Sequence, residues 1–193
     1  MIARLVSLAL IFLSSCSEEK KATSAAPPEY QTLYRPGFKG ALFQFEHDGD
    51  YYLACSIHQG STAPDVEIFR EGQKTPVVVG QRVHIQKDLH VWAYDEDTLS
   101  PDHALSYQPE PKVEVGDRIY LLNKGQKIAA TIVAEPKGKN FRYTYETDEP
   151  FPAGGMSGSP VYLPRTGSVI GVLQTANDKK KATLGGFELL ELE

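Results

Sequence analysis

The most informative stretch of this chain lies near its end and reads Ala153-Gly154-Gly155-Met156-Ser157-Gly158-Ser159-Pro160-Val161. A serine stands between glycines, and a proline and apolar residues follow it. The glycines permit a tight turn in which the amides of Gly155 and Ser157 point outward. Such a pair of N–H groups can bind a developing oxyanion beside a nucleophilic Ser157 hydroxyl. The alternative is an ordinary Gly/Ser/Pro turn between two strands, so the rest of the chain has to decide.

Short apolar segments precede and follow this stretch at intervals typical of β-strands, and no segment indicates a helix. The predicted strands cover residues 41–46, 51–55, 66–69, 76–79, 82–85, 89–94, 118–122, 127–133, 141–145, 160–163, 169–174 and 187–190. Asp48-Gly49, between the first two, is typical of a hairpin turn. Three prolines between residues 99 and 112 would interrupt any regular element there. This spacing predicts two small antiparallel barrels joined by a linker.

Residues 1–15 have the features of a targeting signal rather than of a folded segment. Arg4 supplies a positive charge, and residues 5–13 form an apolar run too short to span a bilayer as a stable helix. The run ends in Leu13-Ser14-Ser15-Cys16, which resembles the lipobox of bacterial lipoproteins. The resemblance implies lipid on Cys16, cleavage before it and firm membrane anchoring. The alternative is a secretory signal that is cut elsewhere, with Cys16 incidental.

Composition and charge narrow the choice of partners and location. The chain is 41% hydrophobic with a net charge of −5 and one basic run, residues 179–181, so nucleic acid is not an expected partner. The lipoprotein resemblance implies the bacterial cell envelope. Ser17 stands where Asp marks inner-membrane retention in enteric bacteria, so the outer membrane facing the periplasm is expected by analogy. With Cys16 acylated, Cys55 is expected to be a reduced, buried thiol.

His58 is the candidate general base. It lies in a turn just past the apolar strand 51–55, where a histidine can face a cleft while the strand holds it in place. One alternative is a surface-turn histidine without function. Another is a Cys55–His58 metal pair, but no second pair of ligands has suitable spacing, so no metal is expected.

Asp88 is the candidate third residue, at the start of the strand 89–94. A buried carboxylate that accepts from histidine Nδ1–H fixes the tautomer and stabilises the imidazolium. The alternative reading of an acidic residue at a strand start is a plain turn residue. Asp95 competes for the same role, with Asp97 behind it.

The order His58, Asp88, Ser157 on a double-barrel β chain resembles the chymotrypsin-like, or trypsin-like, serine proteases. Gly155-Met156-Ser157-Gly158-Ser159-Pro160 stands where that family has Gly-Asp-Ser-Gly-Gly-Pro. The approach to His58 resembles the family's Thr-Ala-Ala-His, and Asp88-Leu89-His90-Val91 resembles Asp-Ile-Ala-Leu. The resemblance covers roughly residues 38–193.

This resemblance implies an all-β fold of two six-stranded antiparallel barrels, with the active site in the cleft between them. It implies a serine endopeptidase in which His58, Asp88 and Ser157 form the triad and the Gly155 and Ser157 amides form the oxyanion hole. Peptide or protein is then the substrate, and neither metal nor cofactor is needed. The expected organisation is a signal peptide at 1–15, a flexible tether at 16–37, barrels at 38–98 and 113–193, and a linker at 99–112.

Two departures from the family pattern qualify the reading. Met156 replaces the Asp that pairs with a freed N-terminus in zymogen-activated members, so maturation by that switch is not expected. Phe151, six residues before the serine, is not acidic, so cleavage after Arg or Lys is not supported. The rival function is a catalytically inactive protease-fold lipoprotein that serves as an anchored binding module.

Other serine chemistries fit the sequence less well. A Gly-x-Ser-x-Gly elbow fails because position 159 is serine, and no histidine follows His103, whereas α/β-hydrolases need their histidine after the nucleophile. A Ser-Lys dyad is possible in principle, but residues 179–181 have the composition of a turn.

Overall fold

The fold is taken from a computed structural model of the 193-residue chain. The structure describes residues 26–27, 29–30, 33–34, 40–56, 66–70, 77–79, 82–86, 89–108, 112–123, 125–135, 143–152, 154–176 and 182–183. The proposed lipid site Cys16, the candidate residues His58 and Asp88, and the predicted last strand lie outside the described residues. Throughout the described part, every helix-or-strand element is a strand, which confirms the all-β prediction.

The first sheet contains eight strands: β1 (Leu33–Tyr34), β2 (Leu42–His47), β3 (Asp50–Ser56), β4 (Val66–Arg70), β5 (Val77–Val79), β6 (Arg82–Gln86), β7 (Leu89–Tyr94) and β8 (Leu105–Ser106). Their order is β5-β4-β1-β2-β3-β7-β6, and β8 pairs with β2 in parallel while the other neighbours are antiparallel. The sheet curls, so that β5 contacts β7 near the opposite edge.

A tight turn at Asp48-Gly49 joins β2 to β3 as a hairpin. Asp48 and Gly49 both have positive φ, at 52° and 89°, which is the requirement of a two-residue type I′ turn. The Gly49 amide donates to Glu46 Oε1 at 2.9 Å and fixes the turn from one side. The prediction of a hairpin at Asp48-Gly49 is confirmed.

The second sheet contains six strands: β9 (Arg118–Asn123), β10 (Gln126–Ala134), β11 (Thr144–Thr147), β12 (Pro160–Leu163), β13 (Ser168–Val172) and β14 (Ala182–Thr183). All neighbours are antiparallel, in the order β13-β12-β9-β10-β11-β14. Because β12 pairs with both β9 and β13, the residues just before Pro160 emerge from the middle of the sheet and not from an edge.

Buried apolar side chains form three clusters, one for each sheet and one between them. The first-sheet core includes Leu53 and Trp92, and the second-sheet core includes Ile119 and Tyr145. The third cluster, called here the junction cluster, joins both sheets: Phe43, Phe45, Ala54, Leu89, Val91, Leu105, Tyr107, Leu122, Tyr162, Val169 and Val172. Alternate residues of β3 and β7 enter different clusters because side chains on a strand alternate between its two faces.

The prediction of two closed six-stranded barrels requires correction. The first sheet has eight strands instead of six, one of them parallel, and the hydrogen bonds among described residues do not close either sheet into a barrel. The extra strands β1 and β8 have two residues each. Segments this short carry no periodic pattern, and their pairing is supplied by the neighbouring strand.

Two predicted connections also differ from expectation. Leu33–Tyr34 lies within the predicted tether, residues 16–37, and yet forms a strand between β2 and β4. Within the predicted linker, residues 99–112, β8 pairs with β2, and Tyr107 forms a bridge to Val169 of the second sheet. Both connections are therefore held against the sheets where the structure describes them. Across that described part, no helix is long and apolar enough to cross a bilayer.

Candidate active site

Ser157 occupies a tight turn directly before β12. The Ser159 amide donates to the Met156 carbonyl at 3.0 Å, which closes a four-residue turn with Ser157 in its second position. Gly158 in the third position has a φ of +86°, the value that a type II turn requires there. Met156 is buried and anchors the turn, whereas Ser157 is partly exposed. The turn therefore presents the serine at the surface on a fixed backbone.

A bulge connects this turn to β13. The Gly158 amide donates to the Leu173 carbonyl at 2.8 Å, and the Leu173 amide donates to the Ser159 carbonyl at 2.8 Å. Two residues on one strand thus face one residue on the other, with a positive-φ glycine first, as in a G1 bulge. The bulge ends the regular β12–β13 ladder directly after Ser157.

The same turn touches the first sheet. The Ala41 amide donates to the Ser157 carbonyl at 2.8 Å. A Cβ on Gly158 would lie 2.7 Å from the Ala41 carbonyl oxygen and 2.9 Å from the Ser56 amide nitrogen. Only a glycine permits so close an approach. Ser157 is therefore held where the end of β3 meets the second sheet.

The strand pair β3–β7 brings the flanks of the other two candidate residues to this place. Ser56, at the end of β3, pairs with Leu89, at the start of β7. In the chain, His58 comes two residues after Ser56, and Asp88 comes immediately before Leu89. His58 and Asp88 lie outside the described residues, so only their neighbours are placed beside the serine turn.

Asp95, the competitor of Asp88, lies at the opposite end of β7. Tyr94 pairs with Tyr51 at the far end of the β3–β7 ladder from Ser56. Asp95 is exposed, and its carbonyl accepts the amides of Thr98 and Leu99 in the following turn. Because β7 is extended, its two ends are roughly 17 Å apart. Asp95, and Asp97 in the same exposed turn, are thereby separated from the serine.

The expected oxyanion donors can be compared with the other amides of the turn. The amides of Gly158 and Ser159 are occupied by carbonyls. Among the described residues, neither the Gly155 amide nor the Ser157 amide has an acceptor, and Gly155 has a φ of +80°. Both residues are partly exposed. This is the condition that a pair of donors needs if it is to serve an incoming oxyanion.

Comparison with solved structures identifies the fold. The chain is similar to the active form of the Rv3671c protease from M. tuberculosis, with 17% identity, a TM-score of 0.53 and coverage of 97% of this chain and 89% of that one. It is similar to a human pathogenic astrovirus serine protease, with 21% identity, a TM-score of 0.57 and coverage of 83% and 88%. It is also similar to a serine endoprotease from Yersinia pestis, with 16% identity, a TM-score of 0.56 and coverage of 86% and 61%.

The fold is that of the trypsin-like serine proteases. This confirms the fold expected from the serine stretch and the strand spacing. No protein-family profile and no curated protein sequence matches the chain. At 16–21% identity the three structures establish the fold alone, so the chemistry has to be argued from the residues of this chain.

In this trypsin-like fold, Met156, the residue before Ser157, belongs to the second-sheet core. Met156 is 3% exposed and packs in one cluster with Phe151 and Leu173. A thioether among apolar side chains offers nothing that could neutralise a buried amino terminus. The surroundings of Met156 therefore agree with the prediction that this chain does not use the zymogen switch, which stays a prediction.

Two buried polar side chains beside the turn were not predicted from the sequence. Ser159 Oγ and both side-chain polar atoms of Gln174 are buried and have no hydrogen-bond partner among the residues that the structure describes. Gln174 follows Leu173, which pairs with the serine turn. An unpaired buried polar group typically costs about 1–3 kcal/mol. The sequence gives no signal for this pair because its burial arises from tertiary packing.

Cys55 is buried, as predicted from the sequence. It is 1% exposed within the first-sheet core. Its cross-strand neighbour His90 is also buried, with its ring edge-on to Trp92 at 5.5 Å. In the part of the chain that the structure describes, no three His, Cys, Asp or Glu side chains are grouped so as to hold a metal ion.

Proposed function

We propose that this chain is a trypsin-like serine endopeptidase in which Ser157 is the nucleophile, His58 the general base and Asp88 the residue that orients the histidine. The observation that carries the proposal is the contact of the serine turn with the end of β3, through Ala41 and Ser56. Ser56 and Leu89 are paired, and His58 comes two residues after Ser56 while Asp88 comes immediately before Leu89. The likeness to several serine proteases supports the same reading.

The proposed reaction is acyl transfer from a peptide to Ser157 and then to water. His58 takes the Ser157 Oγ proton as Oγ bonds to the peptide carbonyl carbon, and the Gly155 and Ser157 amides donate to the oxyanion. The C–N bond breaks as His58 returns the proton to the leaving amine. Water, deprotonated by His58, then attacks the acyl-enzyme, and the ester bond to Ser157 breaks with return of the proton to Oγ.

Labelling with a fluorophosphonate probe tests the proposal most directly. The purified protein should react once, and mass spectrometry should locate the adduct on Ser157. Ser157→Ala and His58→Ala should each lower peptide hydrolysis by about 10⁶-fold, and Asp88→Asn by roughly 10⁴-fold, with the double variant no worse than either of the first two. Activity should rise between about pH 6 and pH 8 as the histidine deprotonates. An unlabelled, well-folded wild type would leave the anchored binding module as the function.

We also propose that the mature protein is a lipoprotein of the bacterial cell envelope, anchored through Cys16 in the outer membrane and facing the periplasm. The support is the lipobox-like sequence before Cys16 and the residue that follows it, Ser17. Mass spectrometry of the native protein should find a chain that begins at Cys16 and carries acyl groups. Cys16→Ser should release the protein or leave an uncleaved precursor. An unmodified Cys16 in the native protein would contradict the anchoring.

A further inference from the structure

The described residues between Pro27 and Tyr34, called here the crossing segment, contact both sheets: Pro27, Glu29, Tyr30, Leu33 and Tyr34. Pro27 and Leu33 are buried, although both belong to a polar, proline-containing stretch. The crossing segment is therefore held at two separate places and not at one. The crossing segment thus differs from a simple spacer between an anchor and a domain.

At its first end the crossing segment is bound to the β9–β10 turn of the second sheet. The Gly125 amide donates to Tyr30 Oη at 3.1 Å, and Tyr30 Oη donates to the Gln126 carbonyl at 3.3 Å. Lys127 Nζ donates to the Pro27 carbonyl at 2.8 Å. Burial raises the pKa of Tyr30 to about 12, so its hydroxyl keeps its proton at physiological pH. Three hydrogen bonds therefore attach this end.

At its other end the crossing segment becomes part of the first sheet. Leu33 pairs with Leu42 of β2 on one side and with Arg70 of β4 on the other. Its side chain belongs to the first-sheet core. Between the two ends, the Tyr30 ring packs against the junction cluster. The described residues of the crossing segment therefore contact the second sheet, the junction cluster and the first sheet.

The crossing segment also reaches the serine turn through one intermediate residue. Leu42, the partner of Leu33, follows Ala41, whose amide holds the Ser157 carbonyl at 2.8 Å. β1 is inserted between β2 and β4, so it supports β2 where that strand begins. Loss of the hydrogen bonds of Tyr30 could therefore change the position of Ser157. The connection runs through the pairing of Leu33 with Leu42 and the hydrogen bond from Ala41 to Ser157.

We propose that the crossing segment aligns the two halves of the active site, and that Tyr30 is its positioning residue. The inference rests on the proposed function, because Ser157 comes from the second sheet while the neighbours of His58 and Asp88 come from the first. Catalysis is sensitive to such alignment, and a misplacement of 1 Å can cost about 100-fold in rate. Tyr30 does not touch the reacting atoms and acts through Leu42 and Ala41.

The test compares Tyr30→Ala and Tyr30→Phe with a matched control, Arg118→Gln, in the full chain. Arg118 makes three side-chain hydrogen bonds, to Thr131 and Asp148, and all of them lie within the second sheet and its turns. The control thus perturbs three hydrogen bonds within the second sheet, against the two that Tyr30 makes to Gly125 and Gln126, and it leaves the crossing segment unchanged. Each variant is assayed for thermal unfolding, kcat, KM and the rate of fluorophosphonate labelling.

We expect Tyr30→Ala to lower kcat and the labelling rate by tenfold or more, with KM little changed and with the melting temperature still above the temperature of the assay. Tyr30→Phe, which keeps the ring, should fall between Tyr30→Ala and the wild type. Arg118→Gln should retain the wild-type labelling rate. Equal rates in Tyr30→Ala and Arg118→Gln would overturn the proposal.

Amide hydrogen exchange separates this inference from the proposed function, because it does not depend on reactivity. Exchange in the peptide that contains Ala41 should be faster in Tyr30→Ala than in Arg118→Gln. If the wild type is not labelled at Ser157, the proposed function fails, and faster exchange at Ala41 still supports the mechanical connection. If labelling is normal and exchange at Ala41 is unchanged in Tyr30→Ala, the positioning role fails alone.

Discussion

At the scale of single residues, Gly158 is constrained in two ways within the turn that holds Ser157. Its φ of +86° lies in the left-handed region, and its α-carbon faces backbone atoms of Ala41 and Ser56. The neighbouring atoms belong to main chain, so they cannot move aside as the end of a flexible side chain would. Both constraints act on the residue that directly follows Ser157.

Gly158→Ala should therefore be worse than an alanine at another positive-φ glycine. Gly116 is the matched control, because it has a φ of +97° but no atom lies within 4 Å of the place that its Cβ would take. Backbone strain alone costs about 1–3 kcal/mol, and Gly158→Ala adds the clash. Urea unfolding should show a larger loss of stability for Gly158→Ala, and probe labelling should fall only in that variant. Equal losses in both would contradict the close approach.

Asp95 gives a second prediction at this scale. Since Asp95 is exposed at the end of β7 remote from Ser56, Asp95→Asn should keep wild-type turnover and melting temperature. Asp88→Asn should fold normally and lose activity, because the histidine would take the wrong tautomer. Hydrolysis of one peptide substrate by both variants is sufficient. Loss of activity in Asp95→Asn with a normal Asp88→Asn would reassign the third residue.

At the scale of elements, the described strands of three residues or more could be predicted from the sequence, and those of two residues could not. The predicted limits of β7 and β12, at residues 89–94 and 160–163, agree with the structure, because apolar and aromatic residues dominate both. β1 and β8 have two residues each and exist only through pairing with neighbours. β11 begins at Thr144, and residues 141–142 of the predicted strand lie outside the described residues.

The candidate site also has features that could be predicted from the sequence and features that could not. The turn at Ser157 could be predicted because its glycines and proline act locally. The burial of Ser159 and Gln174 could not, because it depends on how the loop after β13 packs beside the turn. Asp88 and Asp95 have similar sequence contexts at the two ends of one strand. Only the β3–β7 register separates Asp95 from the serine.

Ionisation of Tyr30 should lower the free energy of unfolding at alkaline pH. Tyr30→Phe should remove this pH dependence, because phenylalanine has no hydroxyl. The pKa of Tyr30 is about 12 in the folded protein against an ordinary value of 10.0. Below pH 10 the hydroxyl is protonated in both states, so its contribution is fully present. Between pH 10 and pH 12 the unfolded chain ionises more readily, and that contribution is lost.

Urea unfolding of the wild type and Tyr30→Phe at several pH values measures this difference. The stability advantage of the wild type should shrink as pH rises from 10 to 12, since the other tyrosines are common to both proteins. A constant difference across that range would show that Tyr30 ionises equally in the folded and unfolded states.

At the scale of the whole molecule, the junction cluster joins the two sheets through a shared apolar core. It draws on both sheets and contains aromatic side chains such as Phe43, Phe45 and Tyr107. Burial of this kind contributes about 25 cal/mol per Å² of apolar surface. The two sheets are therefore held together by a shared apolar core.

Maturation without an internal cut is the corresponding prediction. A chain of residues 17–193, expressed without lipid, should react with the fluorophosphonate probe while residues 30–45 remain uncut, because Met156 lies in an apolar core and cannot receive a new amino terminus. Intact mass of the labelled protein checks this. Labelling that appears only after a cut within residues 30–45 would contradict it.

The burial of Pro27 also limits how far the folded body can lie from a membrane to which the chain is anchored. If Cys16 carries the lipid, as proposed, the stretch between the bilayer and the first residue that the structure describes as buried is Cys16 to Pro27 and not Cys16 to Phe38. Fully extended, the shorter stretch reaches about 40 Å and the longer one about 75 Å. The folded body would then reach only a thin layer above the membrane, and its encounters would favour proteins that are held at the same surface.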